Sequence, residues 1–72
     1  MRIDDYANSK MEYIIQEFVH RDRDRGILYA RYIDGHVYEQ IAEDFDMSVR
    51  QIQNIDYRFQ QRVLLKHLDL LL

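Results

Sequence analysis

The sequence predicts an all-α fold: a small four-helix domain with a helix-turn-helix and a long C-terminal helix. Three observations carry that expectation. Apolar residues recur at three- and four-residue spacing along most of the chain and nowhere alternate with a strand period. The only strong breakers are the two glycines, Gly26 and Gly35, and there is no proline. Finally, Ser48 and Gln51 stand three residues apart at the head of a long periodic run, the pattern of a capping box.

The first helix is expected over 5–19. Met11, Ile14, Ile15, Phe18 and Val19 fall on one face, and Asp4 and Asp5 suit the positive end of the helix dipole. The second is expected over 25–33, with Asp24 as N-cap and Ile27, Leu28 and Tyr32 inward; "DG" at 34–35 then closes it. The third, over 37–45, presents Tyr38, Ile41, Ala42 and Phe45. Its cap position holds Val37 or His36, so about 1 kcal/mol of capping is missing. The fourth, over 48–70, carries Ile52, Ile55, Phe59 and Val63 on one stripe and would span roughly 35 Å.

Composition bounds the possibilities. At 72 residues the chain has room for a single core, and a domain of this size buries only roughly 60% of its unfolded surface. With no cysteine, disulfides and thiolate zinc sites are excluded. Dense helix packing and self-association remain as sources of stability. "MRIDDYANSK" lacks the apolar stretch of a secretory leader, and no run approaches the ~18 apolar residues of a bilayer span. The expectation is a cytoplasmic protein with no membrane contact.

The net charge of −3 speaks against indiscriminate nucleic-acid binding, but it is unevenly distributed. Residues 1–46 hold six basic and eleven acidic side chains, a balance of −5. Residues 47–72 hold Arg50, Arg58, Arg62 and Lys66 against Asp56 and Asp69, a balance of +2. Any phosphate-facing surface therefore belongs to the second half.

Helices three and four are separated by little more than Asp46 and Met47, which forces a sharp crossing. Ala42 permits close approach, and Ile41, Phe45, Met47, Ile52 and Ile55 would fill the wedge. Such spacing suits a helix-turn-helix that holds its second helix ready to enter a major groove. A left-handed turn position normally takes glycine, but aspartate visits it at a cost of about 1 kcal/mol.

The segments "RDRGIL", "RYIDG", "YEQIAEDF" and "MSVRQIQNI" together resemble the C-terminal promoter-binding region of bacterial sigma factors, and the small phage and mobile-element regulators built on it. The resemblance covers about residues 21–66. It implies a transcription regulator whose fourth helix contacts promoter DNA and whose surface can also touch RNA polymerase. Asp46 in place of the turn glycine, Val37 at the cap and Asp56 on the reading helix depart from the family pattern.

With Ile52, Ile55 and Phe59 buried, helical angles put Arg50, Asn54, Tyr57 and Gln61 outward, flanked by Gln53 and Arg58. Arginine can fork onto guanine, asparagine or glutamine onto adenine, and tyrosine can donate to phosphate. The expected DNA-facing set is Arg50, Gln51, Gln53, Asn54, Tyr57, Arg58, Gln61 and Arg62, with Arg31 a further phosphate candidate. The bland reading is that glutamine and arginine are good surface helix formers. Asp56, nearer the buried edge, would pair with Arg31 or Lys66.

Continued at helical spacing, the outward stripe reaches Leu64, Leu68 and Leu71 or Leu72. An exposed leucine row implies a partner, most simply a second copy of the chain. The competing reading bends the chain after Lys66 and folds "LDLLL" onto the first helix. No catalytic constellation and no cofactor motif is present. His36, Glu39, Gln40 and Glu43 read better as a solvated face than as a metal site. A second functional reading keeps the scaffold as a protein-interaction module for RNA polymerase or another regulator, without DNA.

Overall fold

The computed structural model describes residues 3–71, with side chains from Ser9 to Leu71. Among the described residues there is no strand. Four helices account for most of the chain: α1 (Ile3–Phe18), α2 (Asp22–Tyr32), α3 (Tyr38–Asp44) and α4 (Val49–Phe59). A π-helical turn at Gln60–Leu64, a 3-10 turn at Leu65–His67 and a final helical turn, α5 (Leu68–Leu71), extend α4. No described helix is long and apolar enough to cross a membrane.

Boundaries moved where a local signal had a competitor. α1 spans Ile3–Phe18, so Asp4 and Asp5 fall inside its first turn; their side chains lie outside the described residues. α2 begins at Asp22, three residues before the expected start, with Arg21 at the cap and no side-chain capping bond. Asp24 therefore sits in the first turn, where a carboxylate suits the helix dipole. α2 ends as Gly35, at φ 73°, reverses the chain so that the His36 N–H reaches the Ala30 carbonyl at 2.9 Å.

Two apolar clusters share the interior. One packs Ile27 and Ala30 of α2, Ile41 and Ala42 of α3, and Ile52 and Ile55 of α4, with Phe45 and Met47 of the turn against them. The wedge expected from the sequence is thus present. The other gathers Ile14 and Ile15 of α1, Leu28 of α2 and Phe59 of α4. Each fully buried isoleucine contributes about 1.5–3 kcal/mol relative to exposure.

The corner between α1 and α2 is tied by an arginine that sequence periodicity does not single out. Arg25 donates from Nε to the Val19 carbonyl at 2.5 Å and from Nη2 to the Gln16 carbonyl at 3.0 Å. These carbonyls belong to the end of α1, where the helix has run out of its own donors. One cation thus closes one helix from the first turn of the next.

Candidate nucleic-acid interface

The short link between α3 and α4 is a Schellman turn built on an aspartate. The Met47 N–H donates to the Ala42 carbonyl at 2.9 Å, and the Asp46 N–H to the Glu43 carbonyl at 3.3 Å. Asp46 takes φ 53°, the left-handed position that glycine usually fills. Met47 then packs against the cluster that holds Ile41 and Ala42, the kind of apolar contact that frequently accompanies this turn. Gly26 of α2 makes room for the turn: a Cβ there would lie 3.1 Å from the Phe45 ring.

α4 starts with the expected capping box. The Gln51 N–H donates to Ser48 Oγ at 3.1 Å, and the Ser48 N–H to Gln51 Oε1 at 2.9 Å. Val37, at the head of α3, makes no side-chain capping bond. The two helices of the turn therefore differ: α4 has its own start signal, whereas α3 is held by packing.

Asp56 fixes the roll of α4. It is 1% exposed, the only buried charged residue among those described. Its Oδ1 accepts from the Tyr32 hydroxyl at 2.5 Å and its Oδ2 from the Tyr38 hydroxyl at 2.6 Å. Arg31 Nε stands 4.0 Å from Oδ2, while its guanidinium lies 4.2 Å above the Tyr38 ring and donates to the His36 carbonyl. Gln60 Nε2 donates to the Tyr32 oxygen at 3.2 Å. A carboxylate on α4 is thus read by α2 and α3 together. The hydrogen bond to Asp56, and then burial, push the Tyr38 hydroxyl up to about 12. Burial, then the bond to Asp56, raises Tyr32 as well.

The expected partnership of Asp56 with Arg31 is present; Lys66 takes no part in it. Arg31, in turn, is not the free phosphate candidate anticipated from sequence, since the Tyr38 ring, the His36 carbonyl and Asp56 hold it. Helical spacing does not reveal the two tyrosines as donors to Asp56. The available signal was an aspartate next to an inward isoleucine, which demands donors from somewhere.

With Asp56 turned inward, the opposite side of α4 carries Arg50, Asn54, Tyr57 and Arg58, all exposed, Tyr57 at 50%. Gln53 is half-buried, and Gln51, although exposed, is engaged in the cap. Gln61 and Arg62 are exposed but lie on the π turn, beyond regular α4. Arg50, Asn54, Arg58 and Arg62 make no ion pair or side-chain hydrogen bond with another described residue. Withdrawal of Asp56 leaves Asp69 as the sole exposed acid among the described residues after Met47.

The expected outward leucine row is not what the chain forms. A π turn has a wider i→i+5 repeat, so residues beyond it rotate back relative to an ideal α-helix. Leu64 and Leu71 consequently pack on the cluster of Ile14, Ile15, Leu28 and Phe59. Leu68 stays 45% exposed, and Leu72 lies outside the described residues. The exposed apolar residues at this end are Leu65, Leu68 and Leu70, with Tyr13 of α1. His67 stacks on Phe18 with ring centroids 4.0 Å apart, pinning the bend against α1.

No group of three histidine, cysteine or carboxylate side chains is placed to hold a metal among the described residues. Comparison with known family models, curated proteins and solved structures finds no match to this chain.

Proposed function

We propose that the chain is a sequence-specific DNA-binding transcription regulator that lays α4 in the major groove, with α3 and its aspartate turn as the first half of a helix-turn-helix. One observation carries the reading. The outward side of α4 is a run of arginine, asparagine and tyrosine side chains with no ion pair or side-chain hydrogen bond among the described residues, while the only acid on that helix is buried on the other side. These residue types match base edges and phosphates in a groove wide enough for a helix. The resemblance of residues 21–66 to the promoter-binding region of sigma factors supports the same reading, as does the turn geometry. The working compartment would then be the cytoplasm.

Selection of duplexes from a random pool at low salt, followed by titration at several salt concentrations, tests the proposal. Affinity for the enriched sequence should fall linearly on a logarithmic salt scale. Arg50→Ala and Asn54→Ala should each lose about 1–3 kcal/mol of discrimination, and Arg62→Ala should reduce the salt slope by about one. If no sequence is enriched, or both reading-face variants bind as well as the parent, the proposal fails.

The exposed set of Tyr13, Leu65, Leu68 and Leu70 favours a second reading, a protein-interaction module for RNA polymerase or another regulator. Capture of polymerase by a chain that enriches no duplex would select it. Self-association through the same end rests on Leu68 and its exposed neighbours, because Leu64 and Leu71 are occupied within the chain.

A further inference from the structure

A cleft of about 320 Å³ opens between the α1–α2 corner and the rear of α4. Its floor offers the half-buried Phe18, Val19 and Val63, over Leu28, Ile55 and Phe59, which the fold already covers. Its rim carries three arginines, Arg21, Arg58 and Arg62, beside His20 and Asp24. Arg21, Arg58 and Arg62 have no ion-pair or side-chain hydrogen-bond partner among the described residues. The single acid on the rim, Asp24, already lies 3.5 Å from Arg23. Three guanidinium groups left in water around an apolar concavity are a combination that core packing does not require.

We infer that this cleft binds an amphiphilic organic anion, an aliphatic carboxylate in chemical class. The hydrocarbon body would lie on Phe18, Val19 and Val63, and the carboxylate would meet Arg58, Arg62 and Arg21. Charge complementarity selects an anion, and a concave apolar floor rewards burial of a chain. Arginine suits the head group because its planar fork matches a carboxylate bidentately. A nucleic-acid phosphate would satisfy the rim but leave the floor in water. The site does not depend on the proposed DNA reading, although Arg58 and Arg62 belong to both surfaces.

Decanoate is a suitable probe, titrated into the full chain while methyl NMR signals are followed, with decanol in parallel as the uncharged analogue. The expected result is saturable movement of the Leu28, Ile55 and Val63 methyls. Decanol should bind at least about tenfold more weakly, and Arg58→Ala/Arg62→Ala should weaken decanoate by about the same factor. Both arginines are exposed, so the double variant tests charge rather than folding. Equal binding of decanol, an unaffected double variant, or movement centred on Leu65, Leu68 and Leu70 would each overturn the inference. So would a random duplex that moves the cleft methyls when decanoate does not, a result that assigns the arginine rim to phosphates.

Discussion

The front and rear of the last helical run are held in different ways. From Ser48 to Phe59 the chain is regular α-helix: a capping box starts it, the aspartate turn orients it, and Asp56 locks its roll. From Gln60 onward the repeat widens into a π turn, tightens into a 3-10 turn and ends in α5 against α1, with no fully buried residue. The front is determined by polar geometry as well as by packing; beyond the Gln60–Tyr32 hydrogen bond at its first residue, the rear is placed by packing of Leu64 and Leu71 and by the Phe18–His67 stack. A helix held by directional bonds presents its outer side at a defined angle. One held mainly by apolar contact yields to whatever its neighbours require.

Removal of Asp56 should break that contrast most severely. Asp56→Ala removes the acceptor shared by the half-buried Tyr32 and Tyr38 hydroxyls and the charge partner of Arg31, and should cost about 3–5 kcal/mol in urea unfolding. A loss under about 1 kcal/mol would mean that the polar hub does not hold the front. Next, Ile52→Ala in the front cluster should cost about 2–5 kcal/mol, against less than about 1.5 kcal/mol for Val63→Ala, which is only half-buried at the rear. Equal costs would show the two halves to be held alike.

Alkaline titration sharpens the picture. The Tyr38 hydroxyl ionises at about 12 in the fold, against 10.0 for a free tyrosine, and Tyr32 is raised too. The folded state therefore retains protons that the unfolded chain releases, and stability falls as pH rises through the window from 10.0 to about 12. Below that window these tyrosines leave stability level. Urea midpoints measured across it should show the decline, and Tyr38→Phe should make it shallower; an unchanged slope would uncouple Tyr38 from the effect.

Smaller changes should follow at the helix start and at the tail. Ser48→Ala should cost about 1 kcal/mol by thermal unfolding, because only α4 of the two turn helices has a side-chain cap to lose. Leu68→Ser should alter monomer stability by no more than about 0.5 kcal/mol. If light scattering finds the parent chain dimeric, the same variant should shift its mass toward the monomer; no shift would remove Leu68 from the pairing surface.

What could be read from the sequence was local. The apolar spacing of α3 and α4, the Ser48–Gln51 box and the need for Asp46 in a left-handed position all follow from residues within one turn of each other. The outward set on α4 followed too, because Ile52, Ile55 and Phe59 fix the helix phase. What escaped depends on distant partners. Tyr32 and Tyr38 lie 24 and 18 residues from Asp56, and the Arg25 guanidinium reaches carbonyls six and nine residues back. The inward packing of Leu64 and Leu71 escaped for a related reason: one π turn after Phe59 breaks the angular extrapolation, and nothing in "QQRVL" marks it. The apolar cleft with its arginine rim is likewise made by the meeting of α1, α2 and α4, which no single segment encodes.

The buried carboxylate has one further effect, on the arrangements the chain avoids. Slide any of its three helices along another by a turn and a negative charge is left in oil without a donor. Purely greasy contacts would forgive such a slip, since isoleucine fits isoleucine in many alignments. Asp56 thus works as a key cut for one position of the lock, penalising near-miss packings more than it favours the native one.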